Sequence, residues 1–389
     1  MACPSFVRLA LLFSIGACSD SDAPTTPSSA AQMFERFVAL GTSNSMGVQS
    51  AGIFAAGQRA AWPAQLASRI AVPFSEPLLQ DPGCGPPLVA PLASDLALVG
   101  TLGSGFINAV NGTCAPLENG IALPTNNVAI SGADVHDALV ATPESKGDVR
   151  TRTLYSRVLA PGQTRVSAMI AQKPTFVSVE LAANDVLPAS TGRVSAMTPY
   201  ANWERDHDAV LDAVRSTGAR AVLVGVPNDA AQFPSIRRAS ELATDAAALQ
   251  TLGIRVTADC ARSSNYLFIP GYALTLVAQA PASATCADVA GAADYVLTPE
   301  DMAAINAQMV GMNAHMQAKA AELGFAYFSL DAVYALAKPA FSISGVLFSN
   351  APFGANISLD GVHPSAQGQG LLAAAAAQAI TAKYGVAIP

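Results

Sequence analysis

Charge is what this sequence has least of. Of its 389 residues only 13% are Asp, Glu, Lys or Arg, while 51% are hydrophobic. Lys and Arg total 21 against 28 acidic residues, a net charge of -7 and a pI near 5.1. With no basic surplus to displace the counterions of a phosphate backbone, a nucleic-acid partner is not expected. The chain also lacks His-Glu-x-x-His, Cys-x-x-Cys and any glycine-rich phosphate loop, so neither a metal nor another cofactor is implied. His136, His207 and His315 fall in apparent helices without ligand partners at metal spacing, and read as solvated or locally bonded side chains. What remains is enough apolar sequence to bury one large α/β core, with room for a subdomain.

The N-terminus has an apolar run, Leu9 to Ala17, preceded by Arg8. It is too short for a membrane span of about 20 residues but suits a signal peptide over residues 1–17. The run ends Ile15-Gly16-Ala17-Cys18, which resembles a bacterial lipobox and implies cleavage before Cys18 and a lipid on its thiol. Residues 18–32, rich in Ser, Asp, Pro and Thr after Cys18, read as a tether, and Ser19 rather than aspartate favours the outer membrane. The expected location is the bacterial cell envelope, with the membrane as a partner through the anchor; an ordinary cleaved signal would make the chain secreted. Four cysteines then remain, Cys84, Cys114, Cys260 and Cys286, and three pairings are open. Pairing Cys84 with Cys114 and Cys260 with Cys286 is favoured, because each pair brackets a Pro/Gly/Ala-rich stretch that reads as an insertion lacking its own core.

Residues 33–389 read as one domain with insertions at about 81–117 and 227–297. Short apolar runs at Phe37-Leu40, Asn127-Ile130, Phe176-Leu181, Ala221-Val226 and Ala326-Leu330 alternate with helical patterns. That order predicts an α/β fold of three layers, a mainly parallel five-stranded sheet covered on both faces. Thr298-Pro299-Glu300-Asp301 supplies a helix start and Gly324 a stop, with Met302, Ile305, Met309, Met312 and Met316 as an apolar stripe between them. A last helix is expected from Ser365 to Gly385.

Asp360-Gly361-Val362-His363 places a carboxylate three residues before a histidine, the spacing of a dyad in which the acid orients the ring and stabilises its charged form. Gly41-Thr42-Ser43 leaves a serine at the carboxyl end of the first strand, where open α/β sheets bind ligands. It is not a Gly-x-Ser-x-Gly elbow, because Ser45 holds the fifth position. Ser131-Gly132 and Ala182-Ala183-Asn184-Asp185 follow two further strands.

In these blocks and their order the chain resembles the SGNH hydrolases, or GDSL-type esterases and lipases, from about Phe37 to the C-terminus. Ser43, Gly132, Asn184 and His363 match the four name-giving residues. The resemblance implies a flavodoxin-like sheet and ester hydrolysis through Ser43, His363 and Asp360, with the oxyanion held by Ser43, Gly132 and Asn184. It departs from the family's pattern where Gly-Asp-Ser reads Gly-Thr-Ser and Gly-x-Asn-Asp reads Ala-Ala-Asn-Asp. The substrate expected is a small-molecule, glycan or lipid ester. Acyl transfer to carbohydrate or lipid acceptors is the second reading, and a non-catalytic binding lipoprotein the third.

Overall fold

The computed structural model describes residues 29–92, 114–251, 253–278, 282–340 and 342–389. The expected signal peptide, Cys18 and most of the expected tether lie outside the described residues. Ser29–Met33 is already helical, with Ala30 and Met33 buried, so the end of the expected tether belongs to the folded body.

Nine strands occur among the described residues: β1 (Phe37–Leu40), β2 (Phe176–Val179), β3 (Arg220–Gly225), β4 (Ile236–Arg238), β5 (Ile254–Val256), β6 (Tyr266–Phe268), β7 (Ala282–Ala284), β8 (Val296–Leu297) and β9 (Ala326–Ser329). The main sheet has four of them in the order β1-β2-β3-β9, all parallel. The fifth strand expected at Asn127-Ile130 is reduced to one parallel bridge, Ala39 to Asn127. Val128 and Ile130 donate to the Ala39 and Gly41 carbonyls at 2.9 and 3.1 Å. Between them the Ala129 N–H turns to the Asn127 side chain at 3.1 Å, and the Asn127 amide donates to Ser45 O at 2.8 Å. The segment thus closes its own outer edge instead of offering it to another strand. Placed beside β1, it completes the doubly wound order in which chain reversal at β1 opens a crevice at the strands' carboxyl ends.

Strands sandwiched between two helical layers are mostly apolar, and β1 and β2 are buried at every residue, with Ser178 their one polar side chain. Successive side chains go to opposite faces. Val38, Leu40, Val177, Val179, Ala221 and Leu223 join one core, and Phe37, Phe176, Val222, Val224, Ala326 and Phe328 the other. Six helices cover the sheet: α1 (Trp62–Ile70), α2 (Val135–Val140), α3 (Arg165–Ala171), α4 (Tyr200–Ser216), α5 (Pro299–Leu323) and α6 (Ala366–Tyr384). The start and stop of α5 are those expected, with Thr298 accepting from Asp301 N–H, Pro299 in the first turn and Gly324 at φ 71°. Met302, Ile305, Met309, Met312 and Met316 are all buried. Ser365 caps α6 and Gly385 ends it.

The structure joins Cys84 to Cys114 and Cys260 to Cys286. The 227–297 insertion corrects one expectation, since it does have a core of its own. Strands β4, β6 and β8 form an antiparallel sheet and β5 pairs with β7. Leu242, Leu249, Ile254, Leu267 and Val296 pack around Cys260 and Cys286. Strands of two or three residues are too short to show periodicity in sequence, which is why this core was not visible there.

Candidate active site

Ser43 opens a helical turn, Ser43–Met46, directly after β1. The turn is keyed to the sheet by Glu180, which lies just beyond β2 and is fully buried. The Glu180 carboxylate accepts from Thr42 N–H at 3.0 Å, Thr42 Oγ1 at 2.8 Å, Ser45 N–H at 3.3 Å and Ser45 Oγ at 3.0 Å. Burial pushes the Glu180 carboxyl up, and the donors from Thr42 and Ser45 oppose that by favouring the ionised form. The same contacts explain why threonine stands where the family pattern has aspartate: a second carboxylate at position 42 would confront Glu180, whereas a hydroxyl donates to it. Gly41 is required by close approach, because a Cβ there would lie 2.4 Å from Ser45 Oγ. Ser45 also accepts from Trp62 Nε1 at 3.1 Å and is buried, so its hydroxyl is committed to structure. Ser43 Oγ has no hydrogen-bond partner among the described residues, and Ser43 borders the pocket described below.

His363 and Asp360 sit on the loop before α6. His363 Nδ1 lies 2.8 Å from Asp360 Oδ2, which leaves Nε2 as the other ring nitrogen. Asp360 also accepts from the backbone N–H groups of Ala51 at 2.6 Å, Val362 at 2.9 Å and His363 at 2.8 Å, and from Ser358 Oγ at 3.2 Å. Burial pushes this carboxyl up, but the charge and hydrogen bonds of His363 and the backbone donors outweigh it and hold the pKa at about 2. Tyr334 secures the loop from below by donating to Val362 O. The Ala51 contact reaches across from the loop that follows the Ser43 turn, so Asp360 is fixed from both ends of the chain.

Gly132 has φ +78°, a left-handed conformation that glycine adopts at no steric cost, and open space where a Cβ would stand. The Asn184 side chain donates to Ala133 O at 2.9 Å, which ties the Asn184 amide to the Gly132 turn and leaves its second N–H available. Ala182, where the family pattern has glycine, has φ -162° and is buried in the core, so its methyl is accommodated without strain.

Ser43, Asn184 and His363 line one pocket, whereas Gly132 lies outside its lining and is connected through Ala133. The opposite wall is apolar: Val226, Phe233, Ile236, Phe268, Ile305 and Met309. Phe233, Ile236 and Phe268 come from the insertion, and Ile305 and Met309 from the methionine-rich face of α5, which therefore both packs the core and borders the site. Among the described residues no helix is long and apolar enough to cross a membrane.

Three supporting residues escaped the sequence reading. Glu180 carries a visible signal, a lone acid inside the apolar run Phe176-Leu181. Arg165 is fully buried and donates to Gly41 O at 2.8 Å and Asp134 O at 2.6 Å, bracing the exits of β1 and of the Gly132 turn. Gln369 in α6 accepts from Trp62 N–H at 2.9 Å and donates to Asn44 O at 3.0 Å, so the helix that follows His363 also grips the Ser43 turn. Neither Arg165 nor Gln369 stands out in its sequence context.

The chain matches the GDSL-like lipase/acylhydrolase family over residues 37–376 and belongs to it. It is accordingly a hydrolase of ester bonds. Among solved structures it is similar to an extracellular lipase from Streptomyces rimosus, at 17% identity and a TM-score of 0.34, over 87% of this chain and 98% of that one. No curated protein matches the sequence.

Proposed function

We propose that the chain hydrolyses carboxylic esters with an apolar acyl group, through Ser43 as nucleophile, His363 as base and Asp360 as the acid that orients it. The observation that carries this reading is one pocket with Ser43, Asn184 and His363 at its polar end and an apolar wall opposite. His363 Nε2 takes the proton as Ser43 Oγ attacks the carbonyl carbon, and the imidazolium is stabilised by Asp360. The oxyanion is held by the Ser43 and Gly132 N–H groups and the second Asn184 amide hydrogen. His363 then protonates the leaving alcohol, and water activated by the same ring releases the acid. Apo sites commonly leave the nucleophile–base contact to form with substrate, consistent with the unpartnered Ser43 hydroxyl.

The lipobox-like Ile15-Gly16-Ala17-Cys18 supports an envelope location with a lipid on Cys18, which places the pocket near a source of acyl esters. The test is hydrolysis of p-nitrophenyl esters from acetate to palmitate by the soluble form beginning after Cys18. Each methylene buried in an apolar wall is worth about 0.8 kcal/mol, so kcat/KM rises by more than about tenfold between acetate and a medium-length chain. A profile that is highest at acetate and falls thereafter sinks the acyl-pocket reading.

The pH profile follows from the same pair. With its pKa held at about 2, below the ordinary 3.8, Asp360 contributes stability that is present above the ordinary value and is lost only as pH falls through the folded one. Across the working range Asp360 therefore stays ionised and able to pair with the His363 ring. Urea unfolding of wild type beside Asp360→Asn checks this: the wild-type advantage persists down to about pH 4 and fades towards pH 2, and an advantage already lost by about pH 5 contradicts the assignment.

A further inference from the structure

We propose that the interface of α4 and α5 holds one divalent transition-metal ion, bound by His207, Asp208 and His315 and supported by Glu204. A ligand atom from each of the first three lies within 4.8 Å of the others. His207 is fully buried, stacked on the Trp203 ring at 4.8 Å between centroids, and neither of its ring nitrogens has a hydrogen-bond partner. Buried polar atoms are nearly always satisfied, so an orphaned imidazole beside a second histidine and a carboxylate calls for a ligand.

The surroundings have the features of a built site. His315 Nε2 is 2.8 Å from Asp208 Oδ1, and His315 Nδ1 is 3.2 Å from Glu204 Oε1. Glu204 therefore fixes the ring so that Nε2 points at the shared position, the carboxylate–histidine arrangement that typically supports metal ligands. Lys319 takes the other Asp208 oxygen, Oδ2, at 3.1 Å, so it offsets part of the negative charge of Asp208 and Glu204 while leaving Oδ1 to the shared position. Two imidazoles and one carboxylate suit zinc, cobalt, nickel or copper better than magnesium or calcium. Bonds of 2.0–2.1 Å require ligand atoms roughly 3.3 Å apart, so small side-chain rotations close the set. The Asp208 side chain is 36% exposed, giving an entry path and room for a water ligand. The ion would pin α4 to α5, whose Ile305 and Met309 border the ester pocket.

The test uses the full mature chain, stripped with chelator, titrated with zinc chloride and followed by calorimetry and thermal unfolding. Wild type binds one equivalent at micromolar or tighter affinity, and its Tm rises by about 4 °C at a hundredfold excess over Kd. Asp208→Asn and His315→Gln, both at partly exposed positions, each weaken binding tenfold or more while circular dichroism shows them folded. Cobalt in place of zinc gives a visible d–d band that His207→Leu abolishes. Absence of saturable zinc binding by wild type overturns the proposal. So does unchanged affinity in the Asp208 and His315 variants, which would put the ion elsewhere, and so does equal competition by magnesium, which would point to an oxygen-only site.

Discussion

Ser43→Ala and His363→Ala each lower kcat/KM for ester hydrolysis by about 10³-fold or more, and the double variant is scarcely worse than either single one. Non-additivity is the informative part, since a nucleophile without its base, or a base without its nucleophile, leaves the same residual site. Ser45→Ala is the matched control in the same turn. It removes a hydroxyl that donates to Glu180 and accepts from Trp62, and leaves the Trp62 N–H buried and unpaired. Its cost is therefore expected in stability, on the order of 1–3 kcal/mol, with activity kept within about tenfold. Steady-state kinetics beside urea unfolding separates the two outcomes. If Ser45→Ala abolishes turnover in a folded protein while Ser43→Ala does not, the nucleophile has been misassigned. A fluorophosphonate that labels wild type and Ser45→Ala but not Ser43→Ala gives the same answer without a substrate.

Asn184→Ala lowers kcat by about 10²–10³ with little change in KM, the signature of a donor that acts only when charge develops on the carbonyl oxygen. The amide makes a ground-state bond to Ala133 O at 2.9 Å, so part of the loss comes from releasing the Gly132 turn. Asn184→Asp separates the two effects. It keeps the shape but replaces both amide hydrogens by an acceptor oxygen, so it repels Ala133 O and the oxyanion alike and loses at least as much as alanine. A kcat within threefold of wild type for both variants would remove Asn184 from the oxyanion site. Loss confined to KM would instead make it a substrate-binding contact.

The parts of the fold and site that can be read from the sequence are those whose signal is local. β1 and β2 are short apolar runs covered on both faces, and their exits carry Ser43 and Asn184 within a few residues. Asp360 and His363 share one turn, so their pairing follows from spacing. Thr298 and Gly324 mark both ends of α5 by chemistry that acts within a single turn. What escaped reading depends on distance. Glu180 is matched to Thr42 across 138 residues, and Gln369 to Asn44 across 325. His207 and His315 each look unremarkable in their own helices and meet only because α4 packs against α5. The core around Cys260 and Cys286 is assembled from strands of two or three residues, below the length at which a pattern exists. The edge segment at Asn127 looked like a full strand because nothing in its apolar pattern shows that the Asn127 side chain turns back onto the Ala129 N–H.

Gln369 joins the beginning of the chain to its end, and this bears on when catalytic competence arises during synthesis. A ribosome delivers the serine turn early and the histidine loop more than 300 residues later, with α6 following it. Until α6 has docked, Asn44 lacks its clamp, Asp360 has no Ala51 N–H to meet, and the serine faces an incomplete pocket. A partly made or C-terminally clipped polypeptide is therefore unable to attack ester bonds. In the proposed enzyme, hydrolytic power is withheld by chain order until the last helix has docked.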